Sequence, residues 1–190
     1  MFVLGHLGIG SWLAARRVRA DSIAWLLFGA VLPDLIDKPL YYALSFATGR
    51  HGAALGLISS TRTFGHTLIL AFALYALLPR RIGTALLAGI ATHLALDGLG
   101  DLVGFLLPEA VPRPLGPSVL SAILFPLLGW RFPVIPFATL REHAGVSLES
   151  PWMLGSELLG AALLVWQWRT GVFSPLQERL RKRGAPARSG

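Results

Sequence analysis

Seven ionisable residues stand inside or at the edge of apolar blocks in this chain of 190 residues: His6, Asp34, Asp37, His66, His93, Asp97 and Glu157. An Asp at mid-bilayer depth costs at least about 2.5 kcal/mol, so groups placed there need partners or a task. His93 and Asp97 are four residues apart and point from one face of a helix. Asp34 and Asp37, three apart, share a face if the helix continues past Pro33. Imidazole nitrogens with carboxylate oxygens suit zinc first, and also manganese, iron or nickel. The chain has no cysteine, so thiolate ligands are excluded. Three or four carboxylates in a low dielectric require cations to offset them. One or two metal ions supply that offset and activate water.

Each residue alone has a plainer reading. A single His on an apolar helix is more often an interhelical hydrogen-bonding group than a ligand. Asp34 could cap a helix restarted at Pro33, and Lys38 or Arg62 could pair with a single carboxylate. The residues taken together favour metal binding.

Hydrophobic residues make up 54% of the chain and charged residues 14%, against roughly 25% charged in a soluble domain. The composition therefore predicts an all-α, polytopic transmembrane helical bundle. About five helices are expected: near 2–15, 22–46 (interrupted by Pro33), 63–78, 82–107 and 151–168. Residues 108–150 hold Pro108, Pro112, Pro114, Pro117, Pro126, Pro133 and Pro136, too many for a regular span. That stretch reads as a re-entrant or interfacial segment, with Trp130, Phe132, Trp152, Trp166 and Trp168 as interfacial aromatics. Residues 1–173 form one transmembrane domain and 174–190 a basic cytoplasmic tail. The N-terminal apolar block has its arginines after it, the reverse of a signal peptide, and is expected to be retained.

A net charge of +7 does not here mean nucleic acid. The arginines sit between apolar blocks (Arg16, Arg17 and Arg19; Arg80 and Arg81) or after the last one (Arg169, Arg179, Arg181, Lys182, Arg183 and Arg188). The positive-inside rule then puts the N-terminus outside and the C-terminus in the cytoplasm of a cell's inner membrane. Measured along the helices from these clusters, all seven ionisable residues lie roughly 15–27 Å above the inner boundary. Helices running in opposite directions would thus bring them to one level in the outer half of the membrane. His51, His143, Asp101, Glu109, Glu142 and Glu149 read as surface groups.

The same residues carry a resemblance. The ordered stretches are His6-Leu-Gly, Gly29-Ala-Val-Leu-Pro-Asp-Leu-Ile-Asp-Lys-Pro39, Arg62-Thr-Phe-Gly-His-Thr67, His93-Leu-Ala-Leu-Asp97 and Leu124-Phe-Pro-Leu-Leu-Gly-Trp130, with Phe132-Pro133. Together they resemble the membrane-bound metal-dependent hydrolase family typified by the LexA-regulated inner-membrane protein YdjM. The chain departs from the commoner pattern by Asp37-Lys38 where many relatives have Asp-His, and by Thr61 where many have His. It is similar in this to an archaeal-type branch. The order of ligands is also similar to that of zinc-dependent phospholipase C and the S1/P1 nucleases, an analogy only.

The resemblance implies a metal-dependent hydrolase, and the outer-half depth of the site with the ligand order points to a phosphoester, a membrane lipid or isoprenoid phosphate, as substrate. His6, Asp34, His66, His93 and Asp97 would hold the metal, and Arg62 and Lys38 would face the phosphate. Asp37 or Glu157 would complete the shell or act as general base. Two other functions fit intramembrane acids and histidines: a small proton- or ion-coupled transporter, and a scaffold with a structural metal.

Overall fold

The computed structural model describes residues 3–107, 119–134, 137 and 139–184. Among them the architecture is all-helical: α1 (Val3–Ala14), α2 (Ile23–Gly29), α3 (Leu32–Thr48), α4 (Leu68–Leu77), α5 (Arg80–Leu106), α6 (Val119–Ile123), α7 (Leu140–Glu149), α8 (Pro151–Arg169) and α9 (Ser174–Gly184). Pro108, Glu109, Pro112, Pro114, Pro117, Pro136 and Arg188 lie outside the described residues.

Local signals set most boundaries. Thr67 Oγ1 accepts from Leu70 N–H to open α4, and Ser150 Oγ accepts from Met153 N–H to open α8, with Pro151 in its first turn. Side-chain acceptors at these positions satisfy amides that the helix itself leaves bare. Gly49, at φ 65°, closes α3 by returning its N–H to Ser45 O, in the left-handed conformation that favours glycine.

The contacts fix the directions of the helices. α1 and α8 run side by side the same way, with Leu4 beside Glu157 and Ser11 beside Gln167. α5 runs opposite to α1, since His6 meets Asp97 while Ala14 meets Ala85. α2 is parallel to α5, from the Asp21–Arg81 pair up to Ala30 and His93. α4 returns antiparallel to α5, with Tyr75 against Gly83 and Ala71 against Ile90. Glycines allow the close approaches: a Cβ on Gly8 would stand 1.9 Å from Gly160 O, and one on Gly89 2.3 Å from Leu26 O. Small residues at helix seams are the usual route to such contact in apolar surroundings.

Five of the expected segments are present, with three differences of detail. The second breaks at Ala30 and Val31, before Pro33 rather than at it, because proline is tolerated in the first turn of α3. The third starts as a 3₁₀ turn, Phe64–His66, so His66 lies on a tight turn below α4. The stretch expected to be irregular contains the Thr139-capped α7. Phe132, expected at an interface, is buried and stacks on Phe125, whereas Trp130 is exposed. By length and composition α5 is the one described helix able to cross a membrane; α4 is apolar but ten residues long.

Candidate metal centre

Four elements converge at the end of the bundle away from Arg16, Arg17, Arg80 and Arg81. α1 brings His6, the start of α3 brings Asp34 and Asp37, the 3₁₀ turn brings His66, and α5 brings His93 and Asp97. His6, His66 and His93 are each at most 1% exposed. His93 Nε2 lies 3.2 Å from His66 Nε2 and 3.6 Å from Asp97 Oδ2. His66 Nε2 lies 3.4 Å from the same Asp97 oxygen and 3.8 Å from Asp34 Oδ1. His6 stacks on His93 with ring centroids 3.8 Å apart, and its Nε2 is 3.3 Å from Asp97 Oδ1. Beyond that contact, His6 has no hydrogen-bond partner among the described residues.

The hydrogen bonds at the far side of two rings decide what the near side offers. His93 Nδ1 is 2.8 Å from Ala30 O, and a carbonyl only accepts, so Nδ1 carries the proton. His66 Nδ1 is 2.8 Å from Asp37 Oδ2, a carboxylate that likewise takes the proton of a neutral imidazole. Both Nε2 atoms of the neutral rings are then lone-pair acceptors, and they face each other and Asp97. Two acceptors at 3.2 Å in a buried site are relieved either by a proton shared between the two nitrogens or by a metal ion beside them. Two sets of donors, His6, Asp34 and His93, and His66, His93 and Asp97, each have ligand atoms within 4.8 Å of one another. Either set can hold a metal ion.

Asp37 plays a different part from Asp34. Its Oδ1 accepts from Thr63 Oγ1 and Gly65 N–H, both at 2.9 Å. Its Oδ2 accepts from Thr63 N–H at 2.6 Å and from His66. With both oxygens engaged, Asp37 fixes the turn and orients the His66 ring, as carboxylates behind metal-binding histidines do. Gly65 permits the approach: a Cβ there would be 2.5 Å from Pro33 O.

Lys38 pairs with Asp34 one turn along α3. Arg62 binds Asp97 through Nε at 3.2 Å and both oxygens of Asp101 through Nη1 at 2.9 and 3.0 Å. Among the described side chains the centre therefore holds four carboxylates against Lys38 and Arg62.

Glu157, expected in the shell or as a base, accepts from Leu4 and Gly5 N–H at 2.9 and 3.0 Å and caps α1. Asp101, read from the sequence as a surface group, is a partner of Arg62; its spacing of four from Asp97 was the available signal. His143, also read as surface, stacks on Phe137 and lies 2.8 Å by Nδ1 from Tyr42 Oη. Burial pushes its pKa down to about 4, with the Lys38 charge acting the same way. His51 is exposed, as expected.

No family model matches the chain, and neither curated proteins nor solved structures gave a significant match.

Proposed function

We propose that this protein is a membrane-embedded metal-dependent hydrolase whose substrate is a phosphoester of a lipid or isoprenoid type. The observation that carries it is the pair of buried Nε2 acceptors of His66 and His93 facing each other beside Asp97. His6, Asp34, His66, His93 and Asp97 are assigned to one or two divalent ions, zinc first among them. A bound ion supplies Lewis acidity toward a phosphoryl oxygen and toward water.

The remaining residues bind and orient. Asp37 holds His66 by its Nδ1 proton, and Ala30 O does the same for His93. Arg62 is anchored between Asp97 and Asp101; a guanidinium has five N–H donors, which leaves capacity for an oxygen of the phosphoester. Lys38, tied to Asp34, adds a second positive group at the rim. Glu157 keeps α1, and so His6, in place by capping.

The membrane setting is part of the reading. Support comes from α5, from outward apolar side chains such as Leu77, Phe105, Leu127 and Leu158, all more than 70% exposed, and from helix directions that alternate as an inner-membrane topology with N-terminus outside requires. On that topology the centre lies about 20–25 Å along α5 from Arg80, in the outer half of the bilayer. The motif resemblance to the YdjM-type family points the same way.

The test is hydrolysis of a panel of lipid phosphomonoesters, phosphodiesters and isoprenoid phosphates by metal-loaded protein in detergent. Turnover of one class, lost in His93→Ala and reduced in Arg62→Gln, is expected. No turnover across the panel, with proton flux in vesicles that depends on Asp34 and Asp97, would replace the hydrolase by a transporter.

A further inference from the structure

At the other end of the bundle a cavity of about 540 Å³ opens between α1 and α8 and the turn that follows α1. It is independent of the His and Asp cluster. Its lining includes Trp12, Arg16, Arg17, Ile23, Trp166 and Gln167. Three features give it a chemistry.

The first is charge. Arg16 and Arg17 are exposed at the 3₁₀ turn Ala15–Arg17. The one hydrogen bond of either guanidinium among the described residues is from Arg17 Nη1 to Leu13 O at 3.5 Å, and no carboxylate faces them. Asp21, the nearest acid along the chain, is paired with Arg19 and Arg81. Two successive arginines that line one cavity without an ion-pair partner among the described residues offer a site for phosphate oxygens.

The second is a buried acceptor. Gln167 is fully buried, and its Nε2, with two N–H donors, has Gly8 O, Ser11 Oγ and Leu163 O around it, each at 3.1 Å. These bonds fix the amide orientation, and Oε1 is left without a partner. A buried carbonyl oxygen of this kind calls for a donor such as a hydroxyl.

The third is the frame. Trp12 and Trp166, half exposed, flank the cavity with indoles, side chains enriched at headgroup depth in membranes.

We infer that this cavity binds a phosphate-bearing polyol group, with the phosphate on Arg16 and Arg17, a hydroxyl toward Gln167 Oε1, and Trp12 and Trp166 against the adjoining apolar part. A glycerophosphate headgroup of an anionic phospholipid has all three parts. Free glycerol 3-phosphate has the first two.

The experiment is native mass spectrometry of the full chain in detergent, titrated with phosphatidylglycerol, phosphatidic acid and phosphatidylcholine of the same acyl chains. Phosphatidylglycerol is expected to bind about tenfold more tightly than phosphatidylcholine and several-fold more tightly than phosphatidic acid. The double variant Arg16→Gln/Arg17→Gln should remove that preference, while Arg80→Gln/Arg81→Gln, basic residues at the same end outside the cavity, should keep it. Displacement of the lipid by an equal concentration of soluble glycerol 3-phosphate assigns the site to the free polyol phosphate. Failure to displace assigns it to the lipid, and both agree with the inference. Equal binding of the three lipids, or equal loss in the two double variants, overturns it.

Discussion

Two regions of this molecule bury polar groups between helices, and they balance them in opposite ways. Along the α1–α8 seam, the two N–H donors of Gln167 Nε2 are shared among three oxygens of α1 and α8, and Ser11 Oγ donates to Gly8 O. Around Gln167 the seam carries no charge, its donors meet acceptors, and what is left over is a single carbonyl oxygen beside a cavity. At the His and Asp cluster two imidazole donors point away, His93 Nδ1 to Ala30 O and His66 Nδ1 to Asp37, while Arg62 and Lys38 reach Asp97 and Asp34 from the edge. The inward side is made of lone pairs and carboxylates. Burial is as deep in both places. One network closes on itself and glues helices, while the other leaves ligand atoms grouped so that they could hold a metal ion.

That contrast can be broken from either side. The largest effect is expected from Asp37→Asn, which disturbs the turn that carries His66 and the proton on its Nδ1. Metal affinity should fall by about 10–100-fold, read by competition with a chromophoric chelator, while the helical content stays as in the wild type. In the seam, Gln167→Leu should lower stability by about 1–2 kcal/mol through lost hydrogen bonds, measured by thermal unfolding in detergent, and leave bound metal unchanged. Loss of metal in that variant would merge the two regions into one. Asp101→Asn removes one partner of a half-buried pair while Arg62 keeps Asp97, so its cost should stay under about 1 kcal/mol.

The smallest effect concerns His143, outside both networks. Its folded-state pKa is about 4, below the value near 6.5 of an unfolded chain. Between those values the unfolded state binds more protons, so stability should be full above about pH 6.5 and decline as pH falls toward 4. His143→Gln should flatten that part of the unfolding profile. An unchanged slope would place the titration elsewhere.

Much of the cluster was legible because helical spacing is local. His93 and Asp97 project from one turn to the next, and the common depth of His6, Asp34, His66 and Asp97 followed from counting residues out from the arginines. The parts that escaped depend on tertiary contacts. Nothing local distinguishes Asp34 from Asp37; the difference arises because the 63–65 backbone folds over Asp37 and saturates it. Glu157 looked like a member of the cluster by depth, yet α8 lies alongside α1 and presents the carboxylate to free amides at the start of α1. The helix break fell at Ala30 and Val31 because proline suits a first turn, so Pro33 marked the restart and not the stop. Asp101 and His143 were passed over as surface groups, although the spacing of four from His93 through Asp97 to Asp101 placed Asp101 on the same face.

The central claim is that the inward-facing imidazoles and carboxylates hold a metal ion, and elemental analysis of detergent-purified protein tests it most directly. Wild type should carry about one or two equivalents of a divalent transition metal, one or two being the number that the two donor sets can hold. His93→Ala and Asp97→Ala should lose it while keeping their helical content. A wild-type protein that stays free of metal after reconstitution with zinc, manganese, iron and nickel would contradict the account.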